Sequence, residues 1–118
     1  MTHVHMEHWK DDQAVTDDQM QALNFVIKVG LEVRQDPNKT VLVHCSAGIG
    51  RTGTYIALLL LIESIEYQRQ QSGSALISIF GTVRRLREQR WLMVKKEKQY
   101  RFLYTYIHHW VKNGIQST

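Results

Sequence analysis

The only cysteine of the chain, Cys45, stands in a setting that could turn a thiol into a nucleophile. It ends the apolar run "TVLVHC", and five small or apolar residues separate it from Arg51. In such a loop the backbone N–H groups can turn inward, and a helix that begins after it adds the positive end of its dipole. The loop is therefore predicted to bind an anion such as phosphate through Ser46, Ala47, Gly48, Ile49, Gly50 and Arg51.

The field that attracts an anion also acts on the Cys45 thiol. A cysteine near a helix N-terminus and a cation has a lowered pKa, because both stabilise the thiolate. The planar guanidinium of Arg51 can hold two phosphate oxygens, and it gains most as charge spreads over them in the transition state. Thr52 can donate its hydroxyl to the departing sulfur, and His44 can orient the loop. A lone cysteine is otherwise most often a buried apolar residue, but this context favours a nucleophile.

The segment "VHCSAGIGRTGT" resembles the signature of the protein tyrosine phosphatases, which is His, Cys, five residues, Arg, then Ser or Thr. Its residues are similar to those of the tyrosine-specific branch of the family. The resemblance implies hydrolysis of phosphotyrosine through a cysteinyl phosphate intermediate, with a phosphotyrosine-containing protein as the substrate. It implies no metal and no organic cofactor.

The segment "HWKDD" is similar to the family's Trp-Pro-Asp motif, whose aspartate protonates the leaving phenolate. Trp9 and Asp11 are in place, and Lys10 stands where proline is usual. Asp11 lies 34 residues before Cys45, a separation like that of the tyrosine-specific members. The resemblance therefore implies that Asp11 is the general acid, with Asp12 as the fallback donor.

The segment "VRRLREQRWLMVKKEKQYRF" is similar to the family's glutamine-bearing loop and the residues before it. Gln99 falls on the second glutamine of that loop and could place the hydrolytic water, a role that the resemblance gives to the first glutamine. Lys95 stands at the first glutamine, and Leu92 stands where many members have glycine. Lys95 could instead hold the phosphoenzyme or another anion.

The resemblance covers residues 1–118 as the C-terminal portion of a tyrosine phosphatase catalytic domain, with the general-acid, phosphate-binding and glutamine loops. The N-terminal part of that domain has no counterpart here and is expected to be needed. One hypothesis is a piece of a larger tyrosine phosphatase. Another, favoured by Lys10 and Lys95, is a catalytically impaired module that binds phosphorylated partners. A dual-specificity phosphatase is disfavoured by the spacing to Asp11.

Composition limits the other classes of function. The chain has 118 residues, 43% of them hydrophobic and 22% charged, as expected for one small globular domain. The net charge of +4 comes largely from basic clusters at 84–90 and 95–98, which indicate a solvated helix face or an anionic ligand. Nucleic acid is disfavoured because aromatic residues are not interleaved with these charges. His3, His5 and His8 could suggest a metal, but their placement favours solvent exposure.

A single cysteine excludes an internal disulfide and favours a reducing compartment, so we expect a cytoplasmic location or the cytoplasmic part of a receptor-like protein. The start has no signal-peptide pattern, and no apolar run reaches the roughly 20 residues that a membrane helix needs. Participation in signal transduction by dephosphorylation is expected from the resemblance.

The elements that must position these residues are predicted to form an α/β fold, with short parallel strands flanked by about four helices. Strands are predicted in "THVHMEHW" and "TVLVHC", where β-branched or alternating residues recur. Thr16 and Gln19 fit a capping box before the first helix. "QRQQSGSA" is predicted to be a loop, and Gly114 a C-cap. Helices are predicted from the apolar stripe Met20, Leu23, Ile27, Gly30 and Leu31, and over 51–68, 79–90 and 96–113.

Overall fold

Four helices form the regular structure of the residues that can be described. The computed structural model describes residues 9, 14, 16, 19–43, 50–90, 93–94 and 96–113. The helices are α1 (Met20–Arg34), α2 (Gly50–Ser72), α3 (Ile79–Gln89) and α4 (Glu97–Asn113). Helix α2 contacts each of the other three, so it forms the centre of the described part of the chain.

Helix α2 is central because it is apolar on most of its circumference, and such a helix is stable only when neighbours cover it. Leu58, Ile62 and Ile65 are at most 1% exposed. The helix continues to Ser72, four residues beyond the predicted end near Gln68. The loop prediction for this polar stretch was therefore wrong over its helical part. The helix ends at Gly73, whose φ of 81° is a left-handed conformation favoured by glycine.

The other helices begin and end close to the predicted boundaries. Leu23 and Ile27 of α1 are fully buried, as their spacing predicts. The N–H of Thr16 donates to Gln19 Oε1 at 3.2 Å as in a capping box, but the predicted box does not cap α1, because Gln19 rather than Thr16 is its N-cap. Helix α3 has a side-chain cap, since Ser78 Oγ accepts the N–H of Gly81 at 2.9 Å. Gly114 lies outside the described residues.

The prediction of an α/β fold was wrong, since no strand occurs in the described part of the chain. Within the second predicted strand, residues 40–43 have no regular structure, whereas most of the first lies outside the described residues. Leu42 is 83% exposed, while Val43 packs against the core. Exposed and packed side chains therefore alternate as expected of a strand. A strand also needs a neighbouring strand to accept and donate its hydrogen bonds, and none is described beside these residues.

Polar contacts connect the helices at the edges of the core. Tyr106 of α4 donates its hydroxyl to Asn24 of α1, and Trp110 Nε1 donates to Glu66 Oε1 of α2 at 3.3 Å. Arg34 at the end of α1 forms an ion pair with Glu63 of α2, with Nε and Oε2 2.5 Å apart. Helices α1 and α4 are thus each tied to α2 by polar side chains as well as by apolar packing.

Tyr55 connects α1 to α2 and should make the fold sensitive to alkaline pH. Its hydroxyl donates to the Val26 carbonyl at 2.7 Å, and burial raises the pKa of Tyr55 to about 12. The unfolded chain loses this proton near pH 10, so the folded state binds more protons above that pH. The contribution to stability is complete below about pH 10, and we expect it to fall by about 1.4 kcal/mol per pH unit until about pH 12.

Urea unfolding measured over this pH range checks the expectation, with Tyr55→Phe as the matched control. The variant loses one hydrogen bond, which costs about 1 kcal/mol at neutral pH, and its stability should depend less steeply on alkaline pH. Burial also raises the pKa of Tyr106, so some pH dependence remains in the variant. An unchanged slope in Tyr55→Phe would contradict the assignment.

Candidate active site

The first turn of α2 carries three of the predicted site residues, Gly50, Arg51 and Thr52. Gly50 begins the helix directly after residues 44–49 and is buried, and Thr52 is 4% exposed. Thr54 Oγ1 donates to the Gly50 carbonyl at 2.8 Å within this turn. Arg51 is partly buried in the same turn. The prediction that a helix begins near residue 50 is therefore confirmed.

Arg51 is tied to the segment that contains the predicted general acid. Its Nη1 donates to the backbone carbonyl of Trp9 at 2.8 Å in a partly buried position. Trp9 is 7% exposed and belongs to the hydrophobic core, so the acceptor is held in place by its own side chain. Asp11 follows Trp9 by two residues. The contact joins two segments that are 42 residues apart and that are both predicted to contribute to the site.

Gln99 is the fourth predicted site residue within the described part of the chain. It lies in the first turn of α4 and is fully buried. Its Oε1 accepts the backbone N–H of Lys96 at 3.2 Å. The side chain therefore organises the start of α4, because it satisfies a backbone donor that the helix itself leaves without an acceptor.

A short segment, Met93–Val94, lies between α3 and α4 and contacts the first turn of α2 at Gly53. A Cβ atom added to Gly53 would lie 2.5 Å from the backbone N of Val94 and 3.1 Å from Met93 Sδ. Only glycine allows the helix backbone to approach this segment so closely. Gly53 is two residues after Arg51, so the contact lies in the helical turn that carries the arginine predicted to bind phosphate.

Arg87 of α3 binds the same segment through its backbone carbonyls. Its Nε donates to the carbonyl of Met93 and its Nη2 to the carbonyl of Val94, each at 2.9 Å. Val94 is fully buried and has a φ of 57°, an uncommon conformation for a β-branched residue. The sequence grouped Arg87 with other basic residues, and neither its type nor its spacing identified the two carbonyls that it binds.

The remaining predicted residues fall outside the described part of the chain, so their roles stay predictions. This applies to the nucleophile Cys45 and the general acid Asp11. It also applies to Lys10, Asp12, Leu92 and Lys95, and to His3, His5 and His8. The loop residues concerned are His44, Ser46, Ala47, Gly48 and Ile49.

Comparison with known proteins identifies the class that these features define. The family profile described as protein-tyrosine phosphatase matches residues 1–109. The chain is 36% identical over 104 residues to human receptor-type tyrosine-protein phosphatase zeta, which covers 88% of the chain. It is 37% identical over 100 residues to tyrosine-protein phosphatase 99A of Drosophila melanogaster, covering 85% of the chain. The chain belongs to the protein-tyrosine phosphatase family.

Human receptor-type tyrosine-protein phosphatase eta is similar to 84% of the chain, with 41% identity over 100 residues. The chain spans only 4% of the length of the human zeta protein and 7% of the lengths of the 99A and eta proteins. Among the described residues, no helix is long and apolar enough to cross a membrane.

Proposed function

We propose that this chain contributes the catalytic loops of a phosphatase that hydrolyses phosphotyrosine in proteins through a cysteinyl phosphate. The observation that carries the proposal is the hydrogen bond from Arg51 to the Trp9 carbonyl. It connects the arginine predicted to grip phosphate with the segment predicted to supply the proton. Family membership supports the same reaction type.

In the first step, the Cys45 thiolate attacks phosphorus and forms an S–P bond. The P–O bond to the tyrosine breaks, and the carboxylic acid of Asp11 gives its proton to the leaving phenolate oxygen. Arg51 binds two of the phosphoryl oxygens and stabilises the charge that develops on them. The products of this step are a phosphorylated cysteine, a free tyrosine side chain and an ionised Asp11.

In the second step, a water molecule attacks the phosphorylated cysteine. The Asp11 carboxylate takes a proton from this water, while Gln99 helps to orient it. The S–P bond breaks, and Thr52 donates a hydrogen bond to the departing thiolate. Phosphate leaves, and the enzyme returns with Asp11 protonated and Cys45 ionised, so that each proton taken up is also released.

The substrate and setting of the protein are part of the same proposal. The partner is a phosphotyrosine-containing protein, and turnover requires the remaining part of the catalytic domain in addition to residues 1–118. Two relatives with receptor-type names support the cytoplasmic part of a receptor-like protein as the setting, and signal transduction as the process.

A second candidate function is a catalytically impaired module that binds phosphorylated partners. It is favoured by Lys10 at the usual proline of the acid loop and by Lys95 at the first glutamine of the glutamine loop. Both substitutions affect proton transfer and water placement, whereas phosphate capture depends on the loop and Arg51. Such a protein would bind phosphotyrosine without releasing phosphate.

Hydrolysis of aryl phosphates by Asp11→Ala and Asp12→Ala variants of the full-length protein tests the proposed reaction. We expect Asp11→Ala to lower kcat by roughly 10²-fold to 10⁴-fold, because a general acid no longer protonates the phenolate. The loss of kcat in Asp11→Ala should be smaller with a substrate whose phenol is a good leaving group, since such a phenolate needs no proton. Asp12→Ala is the matched control and should retain the wild-type rate.

Other outcomes identify the other hypotheses. A large loss of kcat in Asp12→Ala, with none in Asp11→Ala, would assign the general acid to Asp12. Wild-type protein that binds a phosphotyrosine peptide but releases no phosphate would contradict the enzyme and support the binding module.

A further inference from the structure

We propose that Arg87 is a positioning residue for hydrolysis of the cysteinyl phosphate, acting through the Met93–Val94 segment on the glutamine that orients water. This inference rests on the function proposed above. Arg87 itself lies on α3 and needs no contact with the substrate. Its effect is transmitted by the backbone that its guanidinium holds.

The geometry of the contact makes Arg87 suited to hold a backbone. Its guanidinium directs two N–H groups at successive carbonyls, those of Met93 and Val94, at 2.9 Å each. A planar guanidinium fixes the relative orientation of two acceptors, because its donors form a rigid fork. Lysine at this position would supply a single rotating ammonium and would leave the second carbonyl less well fixed.

The backbone that Arg87 holds is in a conformation that requires support. A β-branched residue with φ of 57° is unfavourable on its own, and such a conformation persists only when its surroundings determine it. At Val94 those surroundings are the Arg87 guanidinium bound to its carbonyl and to that of Met93, complete burial of the side chain, and the close contact of its backbone N with Gly53. Loss of the guanidinium removes one of these three supports.

The held segment lies between the two halves of the site. On one side it touches Gly53 in the turn that presents Arg51 and Thr52. On the other side the chain continues within two residues to Lys96, whose N–H binds the Gln99 side chain. Relaxation of Val94 would therefore displace the Gln99 turn relative to the first turn of α2. Water attack depends on Gln99, whereas attack by Cys45 does not, so the second step should suffer more.

The test compares Arg87→Met with Arg85→Met in the full-length protein. Arg85 is exposed on the same helix, and both variants remove one positive charge. Steady-state hydrolysis of an aryl phosphate gives kcat and kcat/KM, and rapid mixing gives the burst of phenol that precedes hydrolysis of the phosphorylated cysteine. Thermal melting establishes that each variant is folded at the assay temperature.

We expect Arg87→Met to lower kcat roughly 10-fold to 100-fold while kcat/KM stays within about 3-fold, because misplaced water slows only the second step. A burst of one phenol per active site should appear or grow. Arg87→Lys should fall between wild type and Arg87→Met, and Arg85→Met should match wild type. A merely structural role would lower kcat and kcat/KM together, in proportion to the folded fraction.

Rescue by a small cation gives a second readout. Arg87 borders a groove of about 660 Å³ between α3 and the start of α4, which Phe80, Val83 and Tyr100 also line. Free guanidinium can therefore reach the position vacated in Arg87→Ala. Millimolar guanidinium should raise kcat of Arg87→Ala and leave Arg85→Ala unchanged.

The inference is overturned if Arg87→Met retains the wild-type kcat, or if kcat and kcat/KM fall equally and guanidinium restores neither. Failure of the proposed function has a different signature. In that case the wild-type protein releases no phosphate, and Cys45→Ser behaves like wild type; the positioning role then falls with it.

Discussion

Replacing Cys45 with serine is expected to abolish phosphate release, lowering the rate by roughly 10⁴-fold or more. A serine hydroxyl is not ionised near neutral pH, whereas a thiol in an electropositive loop is, so the variant lacks the nucleophile. The variant retains the loop and Arg51, and it should still bind a phosphotyrosine peptide. Phosphate release and peptide binding are measured on the same full-length preparation.

Mass spectrometry of acid-quenched reactions provides the complementary measurement. Wild-type protein mixed with an aryl phosphate should gain the mass of one phosphoryl group on the peptide that contains Cys45. Cys45→Ser should gain none. A variant that hydrolyses substrate at the wild-type rate would eliminate Cys45 as the nucleophile, and with it the proposed mechanism.

Replacing Arg51 with lysine is expected to lower kcat by roughly 10³-fold, although the positive charge is retained. Lysine carries a point charge on a flexible stem, whereas arginine can grip two phosphoryl oxygens and still present another donor. In the structure one such donor, Nη1, is bound to the Trp9 carbonyl at 2.8 Å. The variant therefore loses both the paired grip on phosphate and the link to the acid loop. Aryl phosphate kinetics and competitive inhibition by inorganic phosphate measure the two losses.

Arg34→Lys is the matched control, because Arg34 is also an arginine engaged with other segments but lies at the end of α1 in a largely exposed ion pair with Glu63. Exposed ion pairs contribute little, so this variant should retain full activity and change stability by less than about 1 kcal/mol. If Arg51→Lys matched Arg34→Lys in kcat and in inhibition by phosphate, Arg51 would have no role in phosphate binding.

Helices could be predicted from the sequence because their hydrogen bonds close within a few residues. The period of Leu23 and Ile27 is such a local pattern, and both side chains are buried in the structure as predicted. The end of α2 was placed too early, because a polar composition at 68–72 resembles a loop. The side chain of Gln68 instead binds the backbone N–H and carbonyl of Leu76, which supports the last helical turns.

The prediction of a sheet was wrong because strands, unlike helices, depend on hydrogen bonds to another segment of the chain. Alternation over residues 40–43 indicates an extended segment, and Leu42 and Val43 do differ in exposure. A strand, however, is completed by hydrogen bonds to another segment, and its own sequence does not contain that segment. The α/β assignment was inferred from propensity together with the resemblance, and no pairing supports it in the described residues.

The sequence by itself determined the family, through the spacing from Cys45 to Arg51, and it named the residue types that could perform the chemistry. Only the tertiary structure decided what Arg51, Gly53 and Arg87 contact. Each of these contacts involves a backbone atom, at Trp9, Met93 or Val94, which is distant along the chain from Arg51 and Gly53 and lies beyond the end of α3 for Arg87. Every residue has the same backbone, so no side-chain pattern marks these atoms as partners before the helices pack.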